Sequence, residues 1–167
     1  MATEIYARKK EIFNDLIDSQ KVPLRPGVNY IVDEAIAAGV KLAVCSSSDD
    51  RAVGHVVNLM GKERAKHFKI FAAGSISKLK PDPEVYALAI RELRVPAEDC
   101  VAIEDSHDGL LAAKAAGLAC IVAPSSYTVH QDFRLADLVV GGLNELDLDT
   151  VIRQARSTQF HLTGANC

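Results

Sequence analysis

The sequence is poor in the features that mark membrane, secreted and nucleic-acid-binding proteins. No window approaches the roughly 18 apolar residues of a membrane-spanning helix, and Met1–Phe13 mixes acids with bases, so no signal peptide is visible. The 19 basic and 22 acidic residues give a net charge of −3. Bulk charge therefore does not favour nucleic acid, and we expect a protein without a membrane or nucleic-acid partner.

Cysteine is also sparse. Cys45, Cys100 and Cys120 each lie in or beside an apolar run, and Cys167 is the last residue. No C-x-x-C pair and no zinc-ligand spacing occurs, which argues against a disulfide framework or a zinc site. Buried free thiols in a reducing compartment are the expected state.

The chain does have the composition of one globular domain. Its 167 residues are 49 % apolar and 25 % charged, which is ordinary for a protein with a single core. Short strand-like runs alternate with helical patterns, and this alternation predicts an α/β fold with a doubly wound parallel sheet. The predicted strands are Val40–Cys45, Phe68–Ala73, Val101–Ile103, Ala119–Val122 and Ala136–Val140. The predicted helices are Thr3–Asp18, Val28–Ala38, Arg51–Met60, Glu84–Leu93, Gly109–Ala116 and Leu146–Arg156.

A break near Val22–Gly27 divides the chain, because two prolines three residues apart cannot continue a helix. We therefore expect a separate helix in residues 1–21, a core domain in residues 22–156 and a flexible tail in residues 157–167. Gly39 follows the second helix and suits a left-handed C-terminal position. Asp49 and Asp50 suit the start of the next helix.

Three kinds of polar side chain follow the predicted strands. Ser46–Ser48 come directly after one strand, Lys80 (or Lys78) lies in the loop after the next, and Glu104 and Asp105 end a third. Each group has an ordinary alternative as a helix cap or a surface residue. Ligands bind at the carboxyl ends of parallel strands, where all three groups are expected to lie. A site that combines hydroxyls, an ammonium and carboxylates able to hold Mg²⁺ suits a phosphoryl group.

These residues resemble motifs of the haloacid dehalogenase superfamily, specifically its β-phosphoglucomutase-like, CbbY-like sugar-phosphatase branch. The second family motif is similar to Leu42–Ser46, the third to Lys80–Pro83, and the fourth to Glu104–Gly109 followed by Ala112–Leu118. Arg25–Val28 resembles the junction where the helical cap of the family returns to its Rossmann-like core. The resemblance extends from Val22 to about Leu148.

The resemblance implies a Mg²⁺-dependent phosphatase or phosphomutase that acts on a small phosphorylated sugar through an aspartyl-phosphate. Ser46 and Lys80 would act in catalysis by holding phosphoryl oxygens, with Ser47 and Ser48 beside them in the phosphate site, and Glu104 and Asp105 would hold Mg²⁺. Because relatives occur in bacteria and in plastids, the resemblance implies the cytoplasm or the plastid stroma.

One family motif is not found. The first motif is an Asp-x-Asp-Gly at the tip of an apolar strand, where the first Asp is the nucleophile, and no such strand precedes Val40. Residues Asp147 and Asp149 have the spacing but open a helix, so capping is expected. Helix Thr3–Asp18 instead resembles the last helix of the family's cap. A non-catalytic remnant or partner subunit that binds phosphate or Mg²⁺ weakly is therefore the competing hypothesis.

The missing motif has a structural consequence within the resemblance. In the family its strand lies between the strand bearing Ser46 and the strand bearing Glu104. Two buried strands would each lose a neighbour without it, and exposed apolar edges invite pairing. We expect the sheet to close by rearrangement, by self-association or with an N-terminal fragment. Among the five scattered histidines, only His107, directly after the acids, could face the cleft mouth.

Overall fold

The computed structural model describes residues 5, 8, 11, 12, 15, 16, 19 and 23–163, with side chains described up to residue 155. Residues 5, 8, 11, 12, 15 and 16 are helical, in agreement with the predicted N-terminal helix; the rest of that helix lies outside the described residues. The helices that follow are α1 Val28–Ala37, α2 Asp50–Asn58, α3 Lys62–Ala65, α4 Glu84–Leu93, α5 His107–Ala115 and α6 Leu148–Thr163. The strands are β1 Leu42–Cys45, β2 Phe68–Phe71, β3 Val101–Glu104, β4 Ala119–Val122 and β5 Leu138–Val139.

The strands confirm the predicted parallel α/β class. Strand β1 pairs with β2, β3 pairs with β4, and β4 pairs with β5, all in parallel. Within the described part of the chain they form two sheets, in the orders β1-β2 and β3-β4-β5, instead of one continuous sheet. This separation fits the expectation that a central strand is missing between the strand bearing Ser46 and the strand bearing Glu104.

Helices cover both faces of the two sheets. On one face, α4 and α5 contribute Val85, Tyr86 and Leu110 to a core that also contacts Ala43 of β1 and Cys120 of β4. On the other face, α1 and α2 pack on β1, while α6 reaches β3 and β4. The two sheets therefore share a core although no backbone ladder joins them among the described strands.

Local signals in the sequence account for several helix ends. Asp49 caps α2 by accepting a hydrogen bond from the Ala52 N–H (3.3 Å), and Gly39 has the left-handed φ of 71° that the end of α1 requires. Ser106 caps α5 through the Gly109 N–H (3.2 Å). Asp147 accepts from the Thr150 N–H (2.7 Å), which confirms that this Asp caps a helix.

The structure differs from the predicted elements at the end of the last helix and in one additional short helix. The sequence pattern predicts a last helix that ends at Arg156, but the helix continues to Thr163, into the segment expected to be a flexible tail. The short helix α3 was not predicted, because four residues are too few to show helical periodicity. The division into residues 1–21, 22–156 and 157–167 remains a prediction. No helix in the described ranges has both the length and the apolar character needed to cross a membrane.

Candidate functional site

The carboxyl end of β1 carries the serine cluster. The Ser48 N–H donates to Ser46 Oγ (3.1 Å), which folds the chain into a tight turn before the cap residue Asp49. Ser46 and Ser47 are half-buried, whereas Ser48 is exposed. Asp49 caps α2, so the hydroxyls of the serine cluster are not used as the helix cap.

The loop that carries Lys80 is held against this cluster. Glu84, at the start of α4, accepts from the Ser77 N–H (2.9 Å), the Ser77 hydroxyl (2.8 Å) and the Lys78 N–H (2.8 Å). These contacts, the Ser77 N–H first, lower the pKa of the Glu84 carboxyl. The Lys80 N–H then donates to Ser47 Oγ (3.2 Å). The loop therefore brings Lys80 to the end of β1, while Lys78 stays exposed.

The ammonium of Lys80 links β1 to β3. Its Nζ donates to the Cys45 carbonyl oxygen (2.9 Å), to the Tyr86 hydroxyl (3.3 Å) and to Glu104 Oε1. The Lys80 and Glu104 side chains are only 12 % and 7 % exposed, so this is a buried ion pair. Because an ammonium has three N–H donors, these three contacts use its full donor capacity.

Tyr86 of α4 completes the buried cluster and is not among the site residues that the sequence motifs predict. Its hydroxyl donates to Glu104 Oε1, and its ring lies under Lys80 Nζ, 4.8 Å from the ring centroid. Burial, followed by the charge of Glu104, raises the pKa of Tyr86 well above its usual value, so the hydroxyl stays a donor. The sequence does contain one signal for this role: a tyrosine, whose hydroxyl needs a partner when buried, lies on the apolar face of α4 six residues after Lys80.

The two predicted metal ligands have different surroundings. Glu104 is buried, with Oε1 bound by Lys80 and Tyr86. Its Oε2 lies against Gly109, where an added Cβ would be 1.9 Å away. Asp105 is exposed at the end of β3. The structure therefore brings Glu104, Lys80 and Ser47 together and leaves Asp105 facing solvent beside them.

A loop after β4 braces the turn that follows Asp105. Thr128 Oγ1 donates to the Asp105 carbonyl oxygen (2.5 Å), and the His107 N–H donates to Gln131 Oε1 (2.8 Å). His107 Nδ1 lies 2.6 Å from the Asp132 carbonyl oxygen, so this ring contacts backbone. The bracing by Thr128 and Gln131 joins residues more than 20 positions apart, and no local pattern in the sequence indicated it.

The described residues fit a Mg²⁺ site only in part. No group of three or more His, Cys, Asp or Glu side chains that could hold a metal occurs among them. Mg²⁺ keeps several waters, however, and commonly takes only one or two protein carboxylates. The exposed Asp105 carboxylate suits that role. On Glu104, Oε1 is already bound by Lys80 and Tyr86, so Oε2 is the oxygen that could be added without loss of these contacts.

Comparison with known proteins gives consistent matches. The haloacid dehalogenase-like hydrolase family matches residues 2–117. A "CBBY-like protein" from Arabidopsis thaliana is 50 % identical over 136 residues, which cover 81 % of this chain and 43 % of the relative. "Protein CbbY" from Cereibacter sphaeroides is 41 % identical over 153 residues, covering 87 % and 66 %. The chain thus spans less than two thirds of the length of each relative.

Solved structures give the same result. A crystal structure of CbbY from Rhodobacter sphaeroides in complex with phosphate superposes with a TM-score of 0.82 at 39 % identity, over 89 % of this chain and 68 % of that one. A mutant of that protein in complex with xylulose-(1,5)bisphosphate gives 0.83 with the same identity and coverage. β-Phosphoglucomutase from Clostridium difficile, at 22 % identity and a TM-score of 0.77 over 95 % and 68 % of the two chains, supports the fold alone.

Proposed function

The chain belongs to the haloacid dehalogenase-like hydrolase family, in its CbbY-like branch, and on that premise we propose that it supplies the phosphate-binding and Mg²⁺-binding groups for a phosphatase or phosphomutase of small phosphorylated sugars. One observation carries the proposal. Lys80, Ser47 and Glu104 converge where β1 and β3 end. The phosphate and xylulose-(1,5)bisphosphate bound by CbbY from Rhodobacter sphaeroides support a phosphorylated sugar.

Ser46 and Lys80 hold the phosphoryl oxygens in this proposal, with Ser47 and Ser48 beside them. Because all three N–H groups of Lys80 are engaged, a phosphoryl oxygen has to replace one partner. The Tyr86 hydroxyl, at 3.3 Å, is the most distant of the three and neutral, so it is the partner that leaves first. Lys80 would then offset phosphoryl charge in a largely buried position, where electrostatic stabilisation is strongest.

Asp105 and Glu104 would hold Mg²⁺, which in this chemistry neutralises charge on the transferred phosphoryl group. Asp105 provides an accessible carboxylate, and Glu104 provides charge that is already balanced by Lys80. The Thr128 and Gln131 contacts keep the Asp105–His107 turn in place without help from a bound ion.

The nucleophile is the part of the reaction that we do not assign to this chain. Asp147 accepts a hydrogen bond from the Thr150 N–H, which is a capping role, and Asp149 lies in the first turn of α6. A non-catalytic protein that binds phosphate or Mg²⁺ is therefore the second candidate function, favoured by the capping role of Asp147. The cytoplasm or plastid stroma stays a prediction.

Titration of the chain with inorganic phosphate, with and without Mg²⁺, tests the proposal by calorimetry. We expect Mg²⁺ to strengthen phosphate binding at least about tenfold, since a cation beside Asp105 adds attraction for the anion. The Asp105→Asn variant should lose this enhancement. Asp149→Asn, which removes the same charge from another exposed acid, should keep it. Equal enhancement in both variants would remove Asp105 from the site.

Hydrolysis of p-nitrophenyl phosphate separates the two candidate functions. We expect no turnover above the Asp105→Asn background from the chain alone, together with intact phosphate binding. Mg²⁺-dependent turnover that disappears in Asp105→Asn would instead mean that the chain carries a nucleophile, and Asp147→Asn and Asp149→Asn would then identify it.

A further inference from the structure

Arg25 holds the start of the loop that follows β4. This arginine lies in the segment before α1, and its guanidinium donates to the Ala123 carbonyl oxygen (Nη1, 2.7 Å) and to the Pro124 carbonyl oxygen (Nη2, 3.0 Å). The two contacts join residues 98 and 99 positions apart. We call residues 123–137, between β4 and β5, the brace loop. Arg25 therefore connects the segment before α1 with the first two residues of the brace loop.

The Ala123 carbonyl is a group that needs this partner. Ala123 is 1 % exposed, and its N–H donates to the Glu104 carbonyl oxygen at the end of β3 (2.8 Å). The pairing of β4 with β5 stops at Val122. A buried carbonyl without a donor is unfavourable, and the Arg25 guanidinium supplies a charged donor. Arg25 therefore fixes the backbone at the point where β4 ends.

A short hydrogen-bonded turn connects this point with Asp105. Ser125, directly after Pro124, donates its N–H to Thr128 Oγ1 (2.9 Å), and the Thr128 N–H donates to the Ser125 carbonyl oxygen (3.0 Å). Thr128 Oγ1 also donates to the Asp105 carbonyl oxygen (2.5 Å). One closed turn thus separates the residue that Arg25 holds from the residue that contacts the Asp105 backbone.

We propose that Arg25 is a positioning residue for the Asp105 carboxylate: it fixes the start of the brace loop, and Thr128 transmits that position to the Asp105 backbone. This inference rests on the proposed function, in which Asp105 takes part in holding Mg²⁺. Mg²⁺ tolerates little departure from octahedral geometry and short metal–oxygen distances. A small displacement of the Asp105 backbone should therefore weaken the effect of Mg²⁺ on phosphate binding.

Direct contact with phosphate is the alternative role for Arg25. Arginine binds phosphate through paired N–H groups, and Arg25 lines the same cavity between β1 and β3 as Lys80 and Asp105. Its two Nη atoms, however, each donate to a main-chain carbonyl, and a phosphate held by both would replace both contacts. Direct contact would affect phosphate binding without Mg²⁺, whereas positioning of Asp105 affects the additional binding that Mg²⁺ provides.

Matched arginine variants of the full chain test the proposal by calorimetric titration with inorganic phosphate, with and without Mg²⁺. Arg25→Met removes the two carbonyl contacts and should reduce the Mg²⁺ enhancement from about tenfold to about twofold or less. Phosphate affinity without Mg²⁺ should stay within about twofold. Arg64→Met removes a similar pair of hydrogen bonds, which join α3 to Asp33 of α1 (2.6 and 2.7 Å). It should keep the full enhancement.

Two substitutions at Thr128 test the second step of the connection. Thr128→Val keeps the shape of the side chain and removes the hydroxyl, so it should reduce the Mg²⁺ enhancement as Arg25→Met does. Thr128→Ser keeps the hydroxyl and should retain the enhancement. Arg25→Met combined with Thr128→Val should be no worse than the more severe single variant, because both act through one contact with Asp105. If Arg25→Met does not fold, the two Thr128 variants decide the result.

The possible results separate this inference from the proposed function. Full Mg²⁺ enhancement in Arg25→Met, or equal enhancement in the two Thr128 variants, would overturn the positioning role alone. An equal loss of phosphate affinity with and without Mg²⁺ in Arg25→Met would show that Arg25 binds the phosphate itself, and would also overturn it. Absence of Mg²⁺ enhancement in the unmodified chain would instead overturn the proposed function, and this inference with it.

Discussion

Strands β4 and β1 have similarly apolar sequences, Ala119-Cys120-Ile121-Val122 and Leu42-Ala43-Val44-Cys45, yet they differ in burial. All four residues of β4 are at most 1 % exposed, whereas all four residues of β1 are only half-buried. Strand β4 has neighbours on both sides, while β1 pairs only with β2 among the described strands. Because both segments are composed of apolar residues, hydrophobicity does not explain the difference in burial. The number of neighbouring strands explains it.

This difference divides the molecule into two parts: the β3-β4-β5 sheet, called the closed sheet because β4 is paired on both sides, and the β1-β2 sheet, called the open sheet because each of its strands has one described neighbour. The β3-β4-β5 sheet contains completely buried side chains, among them Ile121 and Val122. The β1-β2 sheet has an exposed outer strand and an open inner edge. The candidate site lies between the two sheets, so one of its walls is more deeply buried than the other. Three sets of variants test how far this contrast extends.

The largest expected effect is the loss of an isoleucine from the closed sheet. Ile121→Ala removes a completely buried side chain from β4 and should lower the free energy of unfolding by about 2–5 kcal/mol. Ile70→Ala, the same change at a 38 % exposed position in β2, should cost about 1 kcal/mol or less. Urea denaturation measures both. Equal losses would show that β2 is as tightly packed as β4.

A pair of glycine substitutions should have smaller, opposite effects. In Gly109→Ala the new Cβ would lie 1.9 Å from Glu104 Oε2. The Glu104 carboxylate must then leave its present position, which should disturb its pairing with Lys80, cost about 1–3 kcal/mol of stability and weaken phosphate binding.

Gly54→Ala in α2 is the matched control, because an added Cβ there has no neighbour within 4 Å. It should stabilise the protein by about 0.5–1 kcal/mol through helix propensity and leave phosphate binding unchanged. Chemical denaturation and phosphate calorimetry of the two variants give the measurements. A stable Gly109→Ala protein with normal phosphate affinity would mean that the position of Glu104 is unimportant.

The smallest expected effect concerns the stability of the protein at alkaline pH. It compares the contribution of a thiol in the β1-β2 sheet with that of a thiol in the β3-β4-β5 sheet. Burial raises the pKa of Cys45 in β1 to about 11 and that of Cys120 in β4 to about 12, from 9.0. Above pH 9 the unfolded chain releases these protons while the folded chain keeps them. Stability from both thiols is therefore complete below pH 9 and is lost as pH rises toward 11 and 12.

Urea denaturation at pH 8, 9, 10 and 11 measures this effect in Cys45→Ala and Cys120→Ala. Each variant should reduce the loss of unfolding free energy between pH 8 and pH 11 by on the order of 1 kcal/mol. The reduction should be larger in Cys120→Ala than in Cys45→Ala. Tyr86, whose pKa is also raised by burial, contributes a decline that neither variant removes. A larger effect from Cys45 would mean that the edge of β1 is less accessible than its open position indicates.

Local features of the fold were predictable from the sequence. Strand β4 and helix α4 have the predicted bounds, and Gly39, Asp49 and Asp147 have the expected conformation or capping contact. These features depend on periodicity and on contacts within about four residues, which a single sequence displays. The roles of Ser46, Lys80, Glu104 and Asp105 in binding phosphate and Mg²⁺ stay predictions.

The sequence by itself determined the alternation of strands and helices and the polar residues that follow each strand. Only the tertiary structure decided that Lys80 pairs with Glu104, that Tyr86 joins them, and that Thr128 braces Asp105. It also decided that β1 and β3 face each other across a cavity. The physical reason is distance along the chain: these contacts join residues from separate elements, and their partners are chosen by packing of the whole core and not by local propensity.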